Sequence, residues 1–292
     1  MERIWLPKKD EKSFAPFDFK ETIEKMNFLV VPDAKNLLAF LIEEMHRELN
    51  KAKETDLCIC IPDDVDFSNQ QQVLTNFESE YMKKFNSIFS HYFYSTYVFV
   101  TRCFGCGIVR YDYTIFSMRI FPLLEAKRYC VLSGRIPQLF YNQYTLNIED
   151  CLIYDQKKET ITGDNQMYCI KCRKLADFSM QNRIYTAPPI FIFVLNRGKG
   201  NLDFQEKFEF WEIIDLTNYT EYKYPDNKYF LVGVISHIGE SKGGHFFAFC
   251  RMSEKSPWFY YNDSIVSESN FNDINTRGTP YILFYQKIKL DE

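Results

Sequence analysis

The chain has 292 residues, of which 46% are hydrophobic and 25% charged, and this composition excludes a disordered or low-complexity protein. Its formal net charge is −4 and its lysines and arginines never cluster, so the electrostatic signature of a nucleic-acid-binding protein is missing. No apolar stretch approaches the ~20 residues of a membrane-spanning helix, and the charged start lacks the apolar region of a signal peptide. We therefore expect no nucleic acid or membrane partner, a mature chain that begins at or near Met1, and a cytoplasmic or nuclear location.

The clearest predicted element is a helix over residues 33–50, where apolar residues recur at intervals of three and four. Asp33 can cap its start, and Pro32 keeps the preceding backbone extended. A second helix is predicted from Val73 to Phe93. Between the two helices, the apolar run Leu57–Ile61 predicts a short buried strand that ends at a proline.

After about residue 96 the sequence changes to β-branched and aromatic runs separated by turns, which is typical of strands. A chain that is helical first and rich in strands afterwards belongs to the α+β class, with helices segregated from a largely antiparallel sheet. The predicted strands are Tyr97–Thr101, Ile108–Ile120, Ile190–Leu195, Tyr229–Ile235, Phe246–Arg251, Trp258–Tyr261 and Tyr281–Ile288.

Nine cysteines without a secretory signal indicate reduced thiols, and four of them form two Cys-x-x-Cys pairs. Each pair places two sulfurs about one turn apart, and two such knuckles can complete a tetrahedral site of four thiolates. Gly105 and Gly107 supply the conformational freedom that the first knuckle needs. We favour a structural zinc ion; buried small cysteines and a redox dithiol are the alternatives. The four predicted ligands are Cys103, Cys106, Cys169 and Cys172.

A histidine and an asparagine towards the end of the chain form the second candidate site. Gly243 and Gly244 precede His245, and Asn262 and Asp263 follow it after one more predicted strand. Two adjacent strands would bring these groups together, and an imidazole oriented by an amide or a carboxylate is the base of a thiol-protease triad. The two glycines would let a substrate backbone approach closely. A core histidine among sheet aromatics is the alternative, which the spacing alone does not exclude.

The ordered run from Tyr229 through His237, Gly244-His245 and Asn262-Asp263-Ser264 to Tyr285 resembles the histidine-containing end of the ubiquitin-specific proteases. In addition, residues 33–50 resemble the family's helix that follows the catalytic one, and the paired thiols resemble its zinc site. The resemblance covers the chain from about Ser13. It implies one hand-shaped α+β domain over residues 1–292.

The resemblance also implies how this domain is divided and what it binds. It predicts a partial helical thumb over residues 1–95, zinc-stapled β fingers mainly over 96–185, and an antiparallel β palm over 186–292. The partner would be ubiquitin or a ubiquitinated protein. The site residues that the resemblance implies are His245 as general base, Asn262 as the residue that orients it, Asp263 as a polar helper, and Asp33, Gly243 and Gly244 at the ubiquitin tail.

The nucleophilic cysteine of the family has no counterpart in this chain. It belongs well upstream of the helix at residues 33–50, and none of the residues before Asp33 is cysteine. Cys250 lies five positions from His245 on one predicted strand, so it points to the opposite face. The other free cysteines are expected to be buried or to have no histidine near them in the sequence: Cys58, Cys60, Cys130 and Cys151. We therefore predict that the chain as given does not hydrolyse a substrate by itself.

Two functional hypotheses remain open at this point. The chain is the larger part of a cysteine-type deubiquitinase whose cysteine block lies outside it, or it is a pseudoenzyme that binds ubiquitin or serves as a scaffold. A third reading keeps only the zinc-stapled fold as a surface for another protein. Three places depart from the family pattern: Pro32 replaces a glutamine, Asn36 replaces an acid, and Asn196-Arg197-Gly198 replaces Lys-Arg-Phe.

Overall fold

The computed structural model of the protein describes residues 15–26, 33–52, 56, 58–62, 64–198, 204, 206–222, 227–240 and 243–288. The predictions for the start of the chain, for Leu57 and for Pro32 fall outside these ranges. Within them, no helix has both the length and the apolar character needed to cross a membrane. The described residues form an α+β fold with two main sheets, one of eight strands and one of four, and helices that pack on them.

The predicted helix over residues 33–50 is confirmed, and a carboxylate oxygen of Asp33 caps it by accepting from the backbone N–H of Lys35 at 2.8 Å. One helix precedes it and further helices follow it along the chain, including three that the sequence did not predict, at residues 123–132, 148–155 and 271–276. The described helices are α1 (Phe17–Lys25), α2 (Ala34–Leu49), α3 (Gln70–Lys84), α4 (Ile88–Phe93), α5 (Leu123–Leu132), α6 (Ile148–Asp155) and α7 (Phe271–Thr276).

The prediction of one helix from Val73 to Phe93 is wrong, because the chain forms α3 and α4 with a break at residues 85–87. Ser87 begins the second helix through a capping box with Ser90, whose backbone N–H donates to the Ser87 hydroxyl at 3.0 Å. The same hydroxyl lies 2.6 Å from Nδ1 of the buried His46 and so joins α4 to α2. The capping signal at Ser87 therefore interrupts the single helix that the periodicity of residues 73–93 predicts.

The predicted buried strand at Leu57–Ile61 is also wrong. Its described residues form no regular structure, and both Cys58 and Cys60 are exposed. Ile59, between the two thiols, packs against the apolar cluster under α3. The ammonium group of Lys84 donates to the Cys58 carbonyl at 2.6 Å, so a side chain and not a neighbouring strand satisfies this backbone group.

Each strand predicted after residue 96 is found in place, though not always with the predicted extent, but several described strands were not predicted, among them Phe178–Thr186 and Ile265–Ser269. The predicted strand Ile108–Ile120 divides into two, because the chain bends at residues 117–118 and the two parts enter different sheets. The described strands are β1 (Ser95–Cys103), β2 (Val109–Phe116), β3 (Arg119–Pro122), β4 (Leu146–Asn147), β5 (Lys158–Ile161), β6 (Met167–Cys169), β7 (Lys174–Ala176), β8 (Phe178–Thr186), β9 (Ile190–Asn196), β10 (Phe208–Glu209), β11 (Ile213–Asp215), β12 (Lys228–Glu240), β13 (Gly243–Cys250), β14 (Trp258–Asn262), β15 (Ile265–Ser269) and β16 (Thr279–Lys287).

The smaller of the two main sheets has the strand order β2-β1-β8-β5 and is antiparallel throughout; we call it the finger sheet. Helix α3 packs on one of its faces, where Phe77 meets Val98 and Tyr113 in an apolar cluster. At the far end of the sheet, the turn after β1 lies beside the β6–β7 hairpin. This end carries both Cys-x-x-Cys pairs.

The larger sheet has the order β15-β14-β13-β12-β16-β9-β3, with β11 added beside β12; we call it the palm sheet. It is antiparallel except for the β3–β9 pair, which confirms the expectation of a largely antiparallel sheet. Its two faces are covered by different helices, α2 and α4 on one side and α5 and α6 on the other. The sequence missed α5 and α6, which bury Cys130 and Cys151 against the palm sheet.

Candidate functional site

The palm sheet places His245 and Asn262 on neighbouring strands. His245 lies near the start of β13, and β14 pairs with β13 through Ala248 and Tyr261. A two-residue turn then links β14 to β15, since Asn262 is directly opposite Ile265. Asp263 occupies this turn with a φ of 50°, a left-handed conformation that aspartate tolerates better than most residues. Asn262 is thus fixed at the very end of its strand.

The two side chains meet as the sequence predicted. Nε2 of His245 lies 2.5 Å from Oδ1 of Asn262, and a carboxylate oxygen of Asp263 lies 3.7 Å from the same nitrogen. The side chain of His245 is 45% exposed and that of Asp263 is 81% exposed. His245 is therefore not a core histidine, because its imidazole is held on one edge and open to solvent on the other.

Tyr260 orients the asparagine and was not predicted from the sequence. The amide nitrogen of Asn262 donates to the Tyr260 hydroxyl at 2.8 Å, which turns the amide oxygen towards His245. Because that oxygen can only accept, the neutral imidazole of His245 carries its proton on Nε2 and keeps the lone pair on Nδ1. The guanidinium of Arg277 lies 5.0 Å from the Tyr260 ring and supports it. Alternation along β14 puts residues 260 and 262 on one face, a signal that could have identified Tyr260.

The two glycines before His245 have different surroundings. A Cβ on Gly244 would lie only 2.3 Å from Cε1 of His237, whereas a Cβ on Gly243 would meet nothing within 4 Å. His237 is buried, with ring centroids 4.8 Å from Phe204 and 4.7 Å from Phe246. Burial lowers the pKa of His237, and the nearby His245 lowers it further. The space between Gly244 and β12 is thus filled by the neutral imidazole of His237 and is not open to a substrate.

Asp33 joins the helical part of the chain to the palm sheet. Besides capping α2, its carboxylate accepts from the hydroxyl of Tyr281 on β16 at 3.1 Å. The pKa of Tyr281 is raised by burial and by this carboxylate. Asp33 therefore has a structural role in the fold, whatever else it contacts.

The two Cys-x-x-Cys pairs come together as the sequence predicted. The four sulfurs all lie within 4.8 Å of one another, with Cys106 and Cys169 separated by 3.6 Å and Cys103 and Cys172 by 3.9 Å. Tetrahedral zinc with Zn–S bonds of ~2.3 Å requires sulfurs about 3.8 Å apart, so the cluster fits this ion. With four protein ligands such a site is closed, and its role would be structural.

The local backbone explains how each knuckle forms. Gly107 has a φ of 73° in the turn after β1, and Arg173 has a φ of 52° in the turn between β6 and β7. A Cβ on Gly105 would lie 3.3 Å from the sulfur of Cys172, so a glycine here allows the two knuckles to approach. The backbone N–H of Cys172 donates to the sulfur of Cys169 and lowers the pKa of that thiol to about 7. A thiolate is the form that binds a metal ion.

The remaining cysteines do not provide a nucleophile for His245. Burial raises the pKa of Cys130 to about 11, and it also raises the pKa of Cys151 and of Cys250. The pKa of Cys58 is raised because its thiol shares a hydrogen bond with Cys60, 3.6 Å away. No hydrogen bond links a thiol to His245 in the part of the chain that the structure describes, where Asn262 and Asp263 are its polar neighbours.

A model of a known protein family matches almost the whole chain. The model described as "Ubiquitin carboxyl-terminal hydrolase" matches residues 1–285. The chain therefore belongs to the ubiquitin carboxyl-terminal hydrolase family, in its ubiquitin-specific protease branch. This confirms the family expected from the histidine-containing segment and the paired thiols.

Curated relatives agree with the family assignment. The chain is 25% identical over 288 residues to ubiquitin carboxyl-terminal hydrolase 2 of Gallus gallus, covering 94% of this chain and 74% of that protein. It is 28% identical over 179 residues to ubiquitin carboxyl-terminal hydrolase 43 of Homo sapiens, covering 51% of this chain and 16% of that protein. The matched part of the chain thus covers most of the length of the first relative but only a small part of the length of the second.

Solved structures confirm the fold class. The chain resembles Ubp8 in the SAGA DUB module with Sgf11, Sus1 and Sgf73, with a TM-score of 0.62 and 22% identity over 89% of this chain and 51% of that one. It also resembles Ubp8 in the same module bound to monoubiquitin, with a TM-score of 0.56 and 23% identity over 76% of this chain and 48% of that one. The chain spans about half the length of these structural neighbours.

Proposed function

We propose that this chain is a ubiquitin-binding protease domain whose His245–Asn262 pair is the proton-handling half of a thiol hydrolase. The contact of 2.5 Å between Nε2 and Oδ1 carries the proposal, because it fixes the tautomer that leaves Nδ1 free. In this proposal His245 is the general base, Asn262 orients it, and Asp263 stabilises the imidazolium from 3.7 Å. Hydrolysis then needs a cysteine from a segment outside these 292 residues.

The chemistry follows from which nitrogen is free. Nδ1 of His245 would accept the proton of a thiol placed beside it, and the thiolate would attack the carbonyl carbon that joins ubiquitin to its conjugate. The departing amine would take the proton back from Nδ1, and water would then release ubiquitin from the thioester with the same nitrogen as base. Asn262 would hold the ring in place through both proton transfers.

The second candidate function is that of an inactive ubiquitin-binding or scaffold protein. The observation in its favour is that no cysteine outside the four-cysteine cluster offers His245 a nucleophile. The pKa values of Cys58, Cys130, Cys151 and Cys250 are raised, and Cys60 is an exposed thiol that lies beside Cys58. A chain of this kind would keep the binding surfaces and lose turnover. The two candidates predict the same fold and differ only in whether a cysteine block is supplied.

Three further assignments belong to the same proposal. The four-cysteine cluster holds a structural zinc ion; its sulfur separations support this choice. Residues 1–95 act as a partial thumb, residues 96–185 mainly as fingers and residues 186–292 as palm, although β3, α5 and α6 of the middle segment belong to or pack on the palm sheet. The ubiquitin tail passes near Asp33, Gly243 and Gly244, where the helical part of the chain approaches the palm sheet through Tyr281.

The decisive experiment uses ubiquitin that carries a thiol-reactive propargylamide at its C-terminus. The purified chain should form no covalent adduct, yet it should bind unmodified ubiquitin saturably in calorimetry. An adduct on any of the nine cysteines would overturn the claim that this chain lacks a nucleophile. Absence of saturable binding at high micromolar ubiquitin would overturn the binding claim.

The two candidates are separated by the coding sequence upstream of Met1. An in-frame block that contains a cysteine, fused to this chain, should restore adduct formation, and His245→Ala in the fused protein should abolish it. If no such block exists, the inactive binding protein is the correct reading.

A further inference from the structure

The finger sheet carries a cavity of about 290 Å³ on the same face as α3, beyond the part of that face that the helix covers. We call it the basic cavity, because the charged side chains that line it are those of Arg102 on β1, Lys158 on β5, Arg183 on β8 and Glu221. It lies in neither of the two sites described above.

The strand register explains why these side chains converge. Arg102 is opposite Ser179 of β8, while Gln181 of β8 is opposite both Val100 of β1 and Lys158 of β5. Side chains alternate between faces along a strand, so positions two residues apart share the cavity face. Three cationic side chains from three strands therefore surround one concave site.

The basic cavity has more positive than negative side chains in its lining. Glu221 is 2.6 Å from a guanidinium nitrogen of Arg183, and that leaves Arg102 and Lys158 without an ion-pair partner among the described residues. On the opposite face of the sheet, by contrast, Arg110 is paired with Asp112 at 3.0 Å. Three cations against one carboxylate give the cavity a local charge of +2, in a chain whose formal net charge is −4.

The start of α3 adds to the same potential. Gln70, the first residue of this 15-residue helix, lines the cavity, and its amide donates to the hydroxyl of Tyr113 at 3.2 Å. The amino end of a helix carries partial positive charge, which favours a nearby anion. The cavity thus combines cationic side chains in its lining with the dipole of a helix start beside it.

The remaining walls indicate what kind of anion fits. Val100, Val109 and Tyr111 form an apolar part of the cavity surface, and free phosphate has no apolar atoms to cover them. A glutamate side chain offers both a carboxylate for Arg102 and Lys158 and methylene groups for this surface. We propose that the basic cavity binds the carboxylate side chains of an acidic segment of a protein that docks on the finger sheet.

The test measures fluorescence anisotropy of a labelled hexaglutamate peptide titrated with the full chain. The peptide should bind saturably at about 50 mM salt and lose affinity at about 500 mM, because ionic screening weakens the contacts. Hexaglutamine should not bind. The double variant Arg102→Glu/Lys158→Glu should weaken hexaglutamate binding more than about tenfold, since hydrogen bonds to charged groups are lost at both positions.

Matched controls make each outcome decisive. Arg128→Glu/Lys255→Glu changes the net charge equally at exposed positions away from the cavity and should bind hexaglutamate like the parent chain. Thermal melting should show that both double variants remain folded. Equal binding by the Arg102→Glu/Lys158→Glu variant, or equal binding of both peptides, would overturn the proposal. If low millimolar inorganic phosphate displaces the peptide, the ligand of the cavity is a free oxyanion and not a protein segment, and the proposal is overturned. No arm contains ubiquitin, so the result is independent of the function proposed above.

Discussion

The palm site and the cysteine cluster of the fingers differ in how complete they are. The cluster contains four sulfurs within 4.8 Å of one another, enough to fill every position around a tetrahedral ion if one is bound. The palm site has one fixed contact, between His245 and Asn262, and the other side of its imidazole faces solvent. A closed set of ligands holds structure together, whereas an open imidazole with a free nitrogen can still exchange a proton.

Removing one ligand of the closed cluster should have the largest effect. Cys172→Ser should lose the metal and leave the finger tip unfolded or aggregated, because a structural zinc ion contributes folding free energy directly. Metal analysis should give one zinc per parent chain and none in the variant. Cys58→Ser, which changes an exposed thiol outside the cluster, should keep both zinc and solubility. A metal-free chain that is well folded would contradict the assignment.

Gly244→Ala should destabilise the palm by about 1–3 kcal/mol, since the new methyl group overlaps the buried ring of His237. Gly243→Ala is the matched control, because its methyl group would meet nothing within 4 Å. Urea unfolding of the two variants measures the difference. Equal stability of both would show that His237 does not occupy the space beside Gly244.

The fold should lose stability as the pH falls below 6.5. Burial lowers the pKa of both His46 and His237 from the unfolded value of 6.5, although Glu43 acts in the opposite direction on His46. Each neutral histidine therefore stabilises the fold above pH 6.5, and this contribution is lost as the pH falls from there towards the lowered folded-state pKa. Urea unfolding across this range measures the slope. His46→Gln should flatten it, and the exposed His91→Gln should leave it unchanged.

Tyr260→Phe should have the smallest effect on stability, about 0.5–1.5 kcal/mol, because it removes one hydrogen bond that the Asn262 amide donates. Its effect on the site should be larger than its effect on the fold, since the amide is then free to rotate away from His245. In a protein with a working cysteine, the rate should fall while zinc content and ubiquitin affinity stay constant. A variant with unchanged rate would show that Asn262 needs no support from Tyr260.

The sequence predicted which residues of the two candidate sites come together better than it predicted the helices around them. Cys-x-x-Cys spacing and the distance from His245 to Asn262 are local patterns, and a hairpin or a pair of adjacent strands is enough to complete them. The break before α4 depends on one serine inside an apolar run, so periodicity alone missed it. The exposure of Cys58 depends on Lys84, whose contact with this loop leaves no trace in the local sequence.

What the sequence could not show is how residues on distant elements support the sites. Tyr260 could have been found from strand alternation, but the packing of His237 beneath Gly244 comes from the β12–β13 pairing, and the Asp33–Tyr281 contact joins residues 248 positions apart. Helices α5 and α6 were missed because their short apolar runs carry β-branched and aromatic residues that resemble strands. Such features are decided by tertiary packing.

The most direct test of the palm site is the protonation pattern of His245, read from long-range proton–nitrogen NMR spectra of the folded chain. In its neutral form the imidazole should carry its proton on Nε2, with Nδ1 unprotonated, and Asn262→Ala should turn this single tautomer into a mixture. A proton found mainly on Nδ1, or a spectrum that Asn262→Ala leaves unchanged, would contradict the claim that these two residues form a proton-handling pair.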